Sequence, residues 1–295
     1  MTTSSPPNPL RRVARLGGWI LGLGLLVAAC AVVLRERHDL TVQLSAIRSP
    51  SWPHVALLLG AVVCNLILTG LFFQVLMRRY GPVGTIEMQS LLAGSMLLNY
   101  LPLRPGLFGR VAYHQRVNGI AVRDSVRTVV HALLISGVTA AGFTVMAALA
   151  LRGGVPVVWS VIAPVPVYVV AFFVMRSHRA IVIAAAVRYL EILLWAGRYA
   201  IAFTAIGLEV RFDEALALAA AGVLATMVPF VSNGLGLREW AIGMLAPVLT
   251  PYSLQHGVTA ELVNRLAELT VVVPLGLIAL ADIARRTKQS SQSDR

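Results

Sequence analysis

Apolar residues in this chain run in blocks much longer than any amphipathic period. Six blocks, near Leu16–Leu34, Val55–Met77, Thr128–Leu151, Val155–Met175, Tyr189–Leu208 and Leu262–Ile283, are long enough to cross a bilayer, whose hydrocarbon of roughly 30 Å takes a helix of about 20 residues. Two shorter blocks, Ile86–Leu101 and Ala215–Val228, are marginal as spans and suit re-entrant segments. Each leads into a polar break. The first runs from Asn99 to Arg110 and contains Pro102, Arg104, Gly106 and Gly109; the second runs from Pro229 to Glu239 and contains Asn233, Gly234, Gly236 and Arg238. In both, a Pro ends the apolar run, a Gly follows four or five residues on, and an Arg follows that Gly by four. Inside a membrane such a break is costly, because freed backbone groups and charges need partners there. Paired breaks in corresponding halves of a membrane protein point to a substrate site.

Composition agrees with the pattern. Of 295 residues 57% are hydrophobic and 13% charged, with a mean hydropathy of +0.77; a soluble domain carries about twice that charge. The first block is expected to be a retained span rather than a signal peptide, because it ends at Leu34-Arg35-Glu36-Arg37 without a small-residue cleavage site. The net charge of +12 comes almost entirely from Arg, Lys288 being the one Lys. Neither zinc-finger spacing nor a basic-aromatic RNA motif accompanies it, so no nucleic-acid partner is expected, and the charge is assigned to cytoplasmic loops facing anionic headgroups. Cys30 and Cys64 fall inside expected spans, as apolar packing residues, and their spacing supports no metal site.

Arginine placement orients the chain. Sixteen basic residues, among them Arg11, Arg12, Arg15, Arg78, Arg79, Arg176, Arg179, Arg285 and Arg286, then lie on the cytoplasmic side, against five outside: Arg35, Arg37, Arg48, Arg152 and Arg211. The expected fold class is an all-α polytopic membrane protein with about six full transmembrane helices plus two re-entrant hairpins. They form an inverted repeat: a cytoplasmic tail over 1–15, a first repeat over 16–152, a second over 153–284 and a cytoplasmic tail over 285–295. Both termini face the cytoplasm, in the cell inner (cytoplasmic) membrane. Inverted repeats bring their broken helices together near the bilayer midplane.

The breaks resemble those of the lysylphosphatidylglycerol synthase transmembrane region family. Its first-half motif, Pro-x-Arg-x-Gly with a downstream Arg, is matched by Pro102, Arg104, Gly106 and Arg110. Its second-half motif is matched by Pro229, Gly234, Gly236, Arg238 and Glu239, and its Arg early in the last helix by Arg265. The resemblance runs from about Leu57 to Ile283. The chain departs from it at Leu107, where an acidic residue is common, at Ser232-Asn233 in place of Pro-Gly, and at Val130-His131 in place of Glu-Arg. The resemblance implies a flippase for an aminoacylated or related phospholipid. Synthase activity is not expected, since the resemblance is to the membrane region and not to a soluble aminoacyl-transfer domain.

The charged residues suit that chemistry. Arg pairs bidentately with phosphate, and Gly106, Gly109, Gly234 and Gly236 let a backbone turn tightly or approach a headgroup closely. Arg104, Arg110 and Arg238 are candidate phosphate ligands, with Arg104 nearest the interface and Asn233 beside Gly234. Glu261, Arg265 and Glu268 share one helix face. Arg188, Glu191, Trp195 and Arg198 form a second charged stripe, in which Arg198 lies deepest, and Glu87 and Asn99 flank the first re-entrant run. The structural alternative is that each Arg pairs with a nearby carboxylate, Arg238 with a glutamate of the last helix. His131 within a span is read as a packing residue. No Ser-His-Asp set, His-Glu-x-x-His or phosphate-binding loop is found, so no enzyme activity, cofactor or metal is expected. The leading expectation is a lipid translocase whose partner is a membrane lipid with an anionic or phosphate-containing headgroup. The alternatives are a membrane subunit without transport, working with a separate lipid-modifying enzyme or as a homo-oligomer, and an intramembrane transferase using Glu239, Glu261 or Glu268 as base.

Overall fold

The computed structural model describes residues 27, 52–101, 104–153, 156–228 and 232–293. The tail 1–15, the expected first span except Val27, Cys30, Pro102 and Pro229 lie outside the described residues.

Every regular element among the described residues is helical. In chain order they are α1 (Trp52–Met77), α2 (Thr85–Leu98), α3 (Pro105–Val117), α4 (Val122–Leu151), α5 (Val157–Ile162), α6 (Pro164–Val174), α7 (Arg179–Ala205), α8 (Phe212–Thr226), α9 (Leu237–Leu249) and α10 (Leu254–Ser293). Four are long and apolar enough to cross a membrane: α1, α4, α7 with the 3-10 turn before it, and α10 over Leu254–Gln289. They carry large exposed side chains such as Val138, Leu266 and Ile278, which water would penalise and lipid would not. These four helices are compatible with a multi-pass membrane protein.

The block at Val155–Met175 is not one unbroken helix. It divides into α5 and α6 at Ala163-Pro164, because a proline ring lacks the N–H and clashes with the carbonyl one turn back. Pro164 instead starts a new helix, and α6 buries none of its residues. Cys64 is exposed on α1 rather than packed inside. α10 runs through Arg285 to Ser293 without a break at the expected tail boundary.

The two marginal blocks form a pair of similar units. α2, with 14 residues, is followed by the first break and α3, with 13. α8, with 15, is followed by the second break and α9, with 13. The main core lies between α7 and α8. Ile192, Ala196, Tyr199 and Phe203 meet Leu216, Ala219, Ala220 and Val223, all nearly or fully buried. Small residues on α8 let the helices approach, the usual device where lipid offers no hydrophobic drive between helices. α9 and α10 cross even more tightly: a Cβ on Gly257 would stand 2.6 Å from the Ala246 Cβ. That crossing brings the start of α9 against the charged face of α10.

A candidate functional site where the two breaks meet

The second break turns through left-handed backbone. Asn233, Gly234 and Gly236 have φ of 45°, 69° and 77°, a region that glycine enters freely and asparagine tolerates. The turn delivers Arg238 and Glu239 to the first turn of α9, both completely buried. Arg265 of α10 locks the turn from behind, donating to the carbonyls of Asn233 (3.3 Å) and Gly234 (3.4 Å) and, through Nε, to Glu239 Oε1 at 2.9 Å.

Arg238 faces two carboxylates of α10. Its Nε donates to Glu261 Oε1, and its Nη1 to Glu268 Oε2 at 3.1 Å. Asn264 supports Glu261 from one turn along (3.2 Å). Arg198 of α7 donates to the side-chain oxygens of Asn264 and Asn65, each at 3.0 Å, and its Nη2 lies 3.5 Å from Glu268. The guanidiniums of Arg198 and Arg238 lie 4.7 and 4.8 Å from the Trp195 ring. Arg198, Arg238 and Arg265 against Glu239, Glu261 and Glu268 sum to zero formal charge, and all six are 0–4% exposed. Arg238 Nη2 and Glu239 Oε2 are buried without a hydrogen-bond partner.

The first break reaches the same place. Tyr100 donates to Glu268 Oε1 at 2.7 Å, and Asn233 donates to the same oxygen at 3.1 Å. Glu268 therefore holds groups from both breaks and from α7. Arg104, also left-handed with φ 48°, donates to the carbonyls of Thr226 and Val228, both at 2.7 Å. These belong to the last turn of α8 and just beyond, where carbonyls lack helical partners and the helix dipole favours a cation. Gly106 permits α3 to touch α2, since a Cβ there would stand 2.1 Å from the Ser95 carbonyl oxygen, and Asn99 Oδ1 accepts from the Leu107 N–H at 3.1 Å. Gly109 makes no turn: it lies inside α3 with open space at its Cβ position.

Arg110 stands apart. It is buried on α3 with its guanidinium 3.9 Å from the Phe73 centroid. Among the described residues it forms no ion pair. The residues around its small cavity, including Phe73, His114 and Ser125, include none of the six network charges. Glu87 points elsewhere, accepting from Asn118 Nδ2 at 2.8 Å. Arg188 and Glu191 pair at 2.6 Å, with Thr69 donating to the same carboxylate. Asn65 joins this pair to the network by also donating to the Glu191 carbonyl at 3.2 Å. His131 borders an open apolar groove of about 490 Å³ between α4, α6 and α7.

Asn65, Tyr100 and Asn264 take part without having been singled out in the sequence. The available signal was a neutral polar residue inside an apolar block, next in register to a charge for Tyr100 and Asn264 but not for Asn65, whose helix carries no charged residue. Neither a scan against protein-family models nor a search of curated proteins finds a match for the chain.

Proposed function

We propose that the chain is a lipid translocase of flippase type, as its resemblance to the lysylphosphatidylglycerol synthase transmembrane region implies. In this reading it has six spans and two re-entrant units in inverted arrangement, with both termini cytoplasmic. The supporting observation is the setting of Glu268, whose carboxylate is held by Tyr100, Asn233, Arg238 and Arg198. Two guanidiniums and two neutral donors converging on one anion also suit a phosphodiester. Glu268 then acts as an internal stand-in that closes the path between the breaks. An entering headgroup displaces it, giving its phosphate to Arg198 and Arg238. Because the network is neutral, a headgroup that also carries a cation leaves Glu268 compensated, which favours zwitterionic or aminoacylated lipids. The apolar groove beside His131 suits acyl chains.

Reconstitution in liposomes, followed by leaflet-to-leaflet transfer of fluorescent phospholipids, tests this. Arg238→Lys keeps the charge but loses the planar fork, and transfer is expected to slow by about tenfold or more, one lost charge-assisted contact being worth at least ~1.4 kcal/mol, with the protein still folded. Wild-type vesicles no faster than protein-free ones would overturn the reading. The near-complete mutual pairing of the six charges favours a second reading, a non-transporting membrane scaffold. In that case Arg238→Lys lowers thermal stability, and no variant affects lipid movement.

A further inference from the structure

The cavity beside Arg110 lies outside the network, and into its mostly apolar lining project a few polar groups of which none is acidic. Arg110 brings a buried cation with no ion pair among the described residues. His114, fully buried one turn further along α3, has no partner for Nε2, and the buried Ser125 Oγ of α4 has none either. All three border the same space of about 10 Å³, room for roughly one water-sized particle. The carboxylates around it are engaged elsewhere: Glu87 with Asn118 and the Gly84 N–H, and Asp124 with Arg127 at 3.4 Å. A buried cation without a counter-charge is costly. The chain sets further positive charge around this end of the bundle, with Arg78 and Arg79 after α1 and Arg123 and Arg127 flanking Ser125.

The proton on His114 follows from its other nitrogen. Asn118 gives its amide N–H to Glu87, so its Oδ1 faces His114 Nδ1 at 3.0 Å and Nδ1 must donate. In the neutral ring Nε2 is then a bare acceptor. An anion in the cavity needs a proton there: burial of the ring opposes that proton, as does Arg110, while the hydrogen bond to Asn118 and the charge of Glu87 favour it.

We infer that this cavity binds a small monovalent anion of chloride size together with a proton on His114 Nε2, held by Arg110 and the Ser125 hydroxyl. Its size excludes a tetrahedral phosphate, and the site is independent of the translocase reading.

The test is thermal unfolding of the purified full chain in detergent. Sodium chloride, bromide, gluconate and phosphate are compared at constant ionic strength, at pH 6 and pH 8. The expected result is a saturable rise in the unfolding midpoint with chloride, weaker with the larger bromide, and absent with gluconate and phosphate. Halide binding should tighten toward lower pH by up to about tenfold per unit, the slope of one linked proton. Arg110→Gln should abolish the halide effect. Ser125→Ala, a smaller change that guards against a misfolded Arg variant, should weaken it several-fold, and His114→Gln should remove its pH dependence. Equal midpoints in all four salts would overturn the proposal and leave a bound water in the cavity. Protection by phosphatidylglycerol vesicles without any halide effect would overturn it too, in favour of a headgroup site. The readout is independent of lipid transfer, so the failure of either proposal is distinguishable from the failure of the other.

Discussion

Arg238 and Arg110 each sit four residues past a glycine in a broken motif, and both are buried. Their surroundings are otherwise opposite. Arg238 meets two carboxylates and the Trp195 ring, whereas Arg110 meets the Phe73 ring and no carboxylate among the described residues. The motif fixes the backbone and the depth of the arginine, but the partners come from other helices. α10 brings Glu261 and Glu268 to the second break. Around the first, Glu87 is turned to Asn118 and Asp124 to Arg127. One break is thus closed by internal ions, and the other keeps free coordinating capacity.

The sharpest way to break this comparison is to truncate both arginines. Arg238→Ala strands Glu261 and Glu268 in a dry interior, where an uncompensated charge costs about 3–5 kcal/mol. A large fall in unfolding midpoint and in yield is expected. Arg110→Ala strands no carboxylate, so in halide-free detergent buffer its midpoint should move far less. Similar losses in the two variants would mean that Arg110 has an acidic partner after all.

Much of the closed region was legible in the sequence. Charges inside apolar blocks must face protein or water, so Arg198, Arg238, Arg265, Glu261 and Glu268 stood out, and helical spacing put the α10 members on one face. The open region was less legible. Arg104 and Arg110 read as one cluster, but α3 begins at Pro105, which leaves Arg104 in the break and Arg110 a turn and a half into the helix, each with different neighbours. Asn65 and Tyr100 carry no charge, so hydropathy did not mark them. The block at Val155–Met175 had the apolarity of a span, and only the backbone consequence of Pro164 divides it.

Within the first break, two glycines separate packing from chain flexibility. Gly106→Ala drives a methyl group into the Ser95 carbonyl, 2.1 Å away, and should cost about 3 kcal/mol by overpacking. Gly109→Ala meets open space inside a helix, where alanine is better than glycine by up to about 1 kcal/mol, so its midpoint should hold or rise. A loss at Gly109 equal to that at Gly106 would place both against the same surface.

A smaller change probes how the first break is tied to the network. Tyr100→Phe removes the hydrogen bond to Glu268 and leaves Asn233, Arg198 and Arg238 on that carboxylate. The expected loss is about 1.5 kcal/mol, the low end for a hydrogen bond to a charged group. In the transfer assay the same variant should loosen the closed state and speed lipid movement if Glu268 is displaced during transport. Slower or unchanged transfer would count against that displacement.

The smallest effect belongs to an ion pair at the edge of the fold, which contrasts with the network in that its cation, Arg211, lies in solvent while Asp213 is buried. Arg211 precedes α8 with its side chain largely in solvent and donates to Asp213 through Nε at 3.0 Å. That hydrogen bond holds the Asp213 carboxyl below its usual range. A carboxylate depressed on folding adds stability above its unfolded pKa, about 3.9, and loses it as pH falls through the lower folded value. Asp213→Asn should therefore lower the midpoint slightly at pH 7, and the gap from wild type should close as pH drops below about 3.9. Added salt should narrow it as well, because the Arg211 end of the pair lies in solvent and is screened, whereas the loss caused by Arg238→Ala should persist at the same salt concentration. If salt reduced both losses equally, the central charges would be in contact with water, and the contrast between a sealed second break and an open first one would fail.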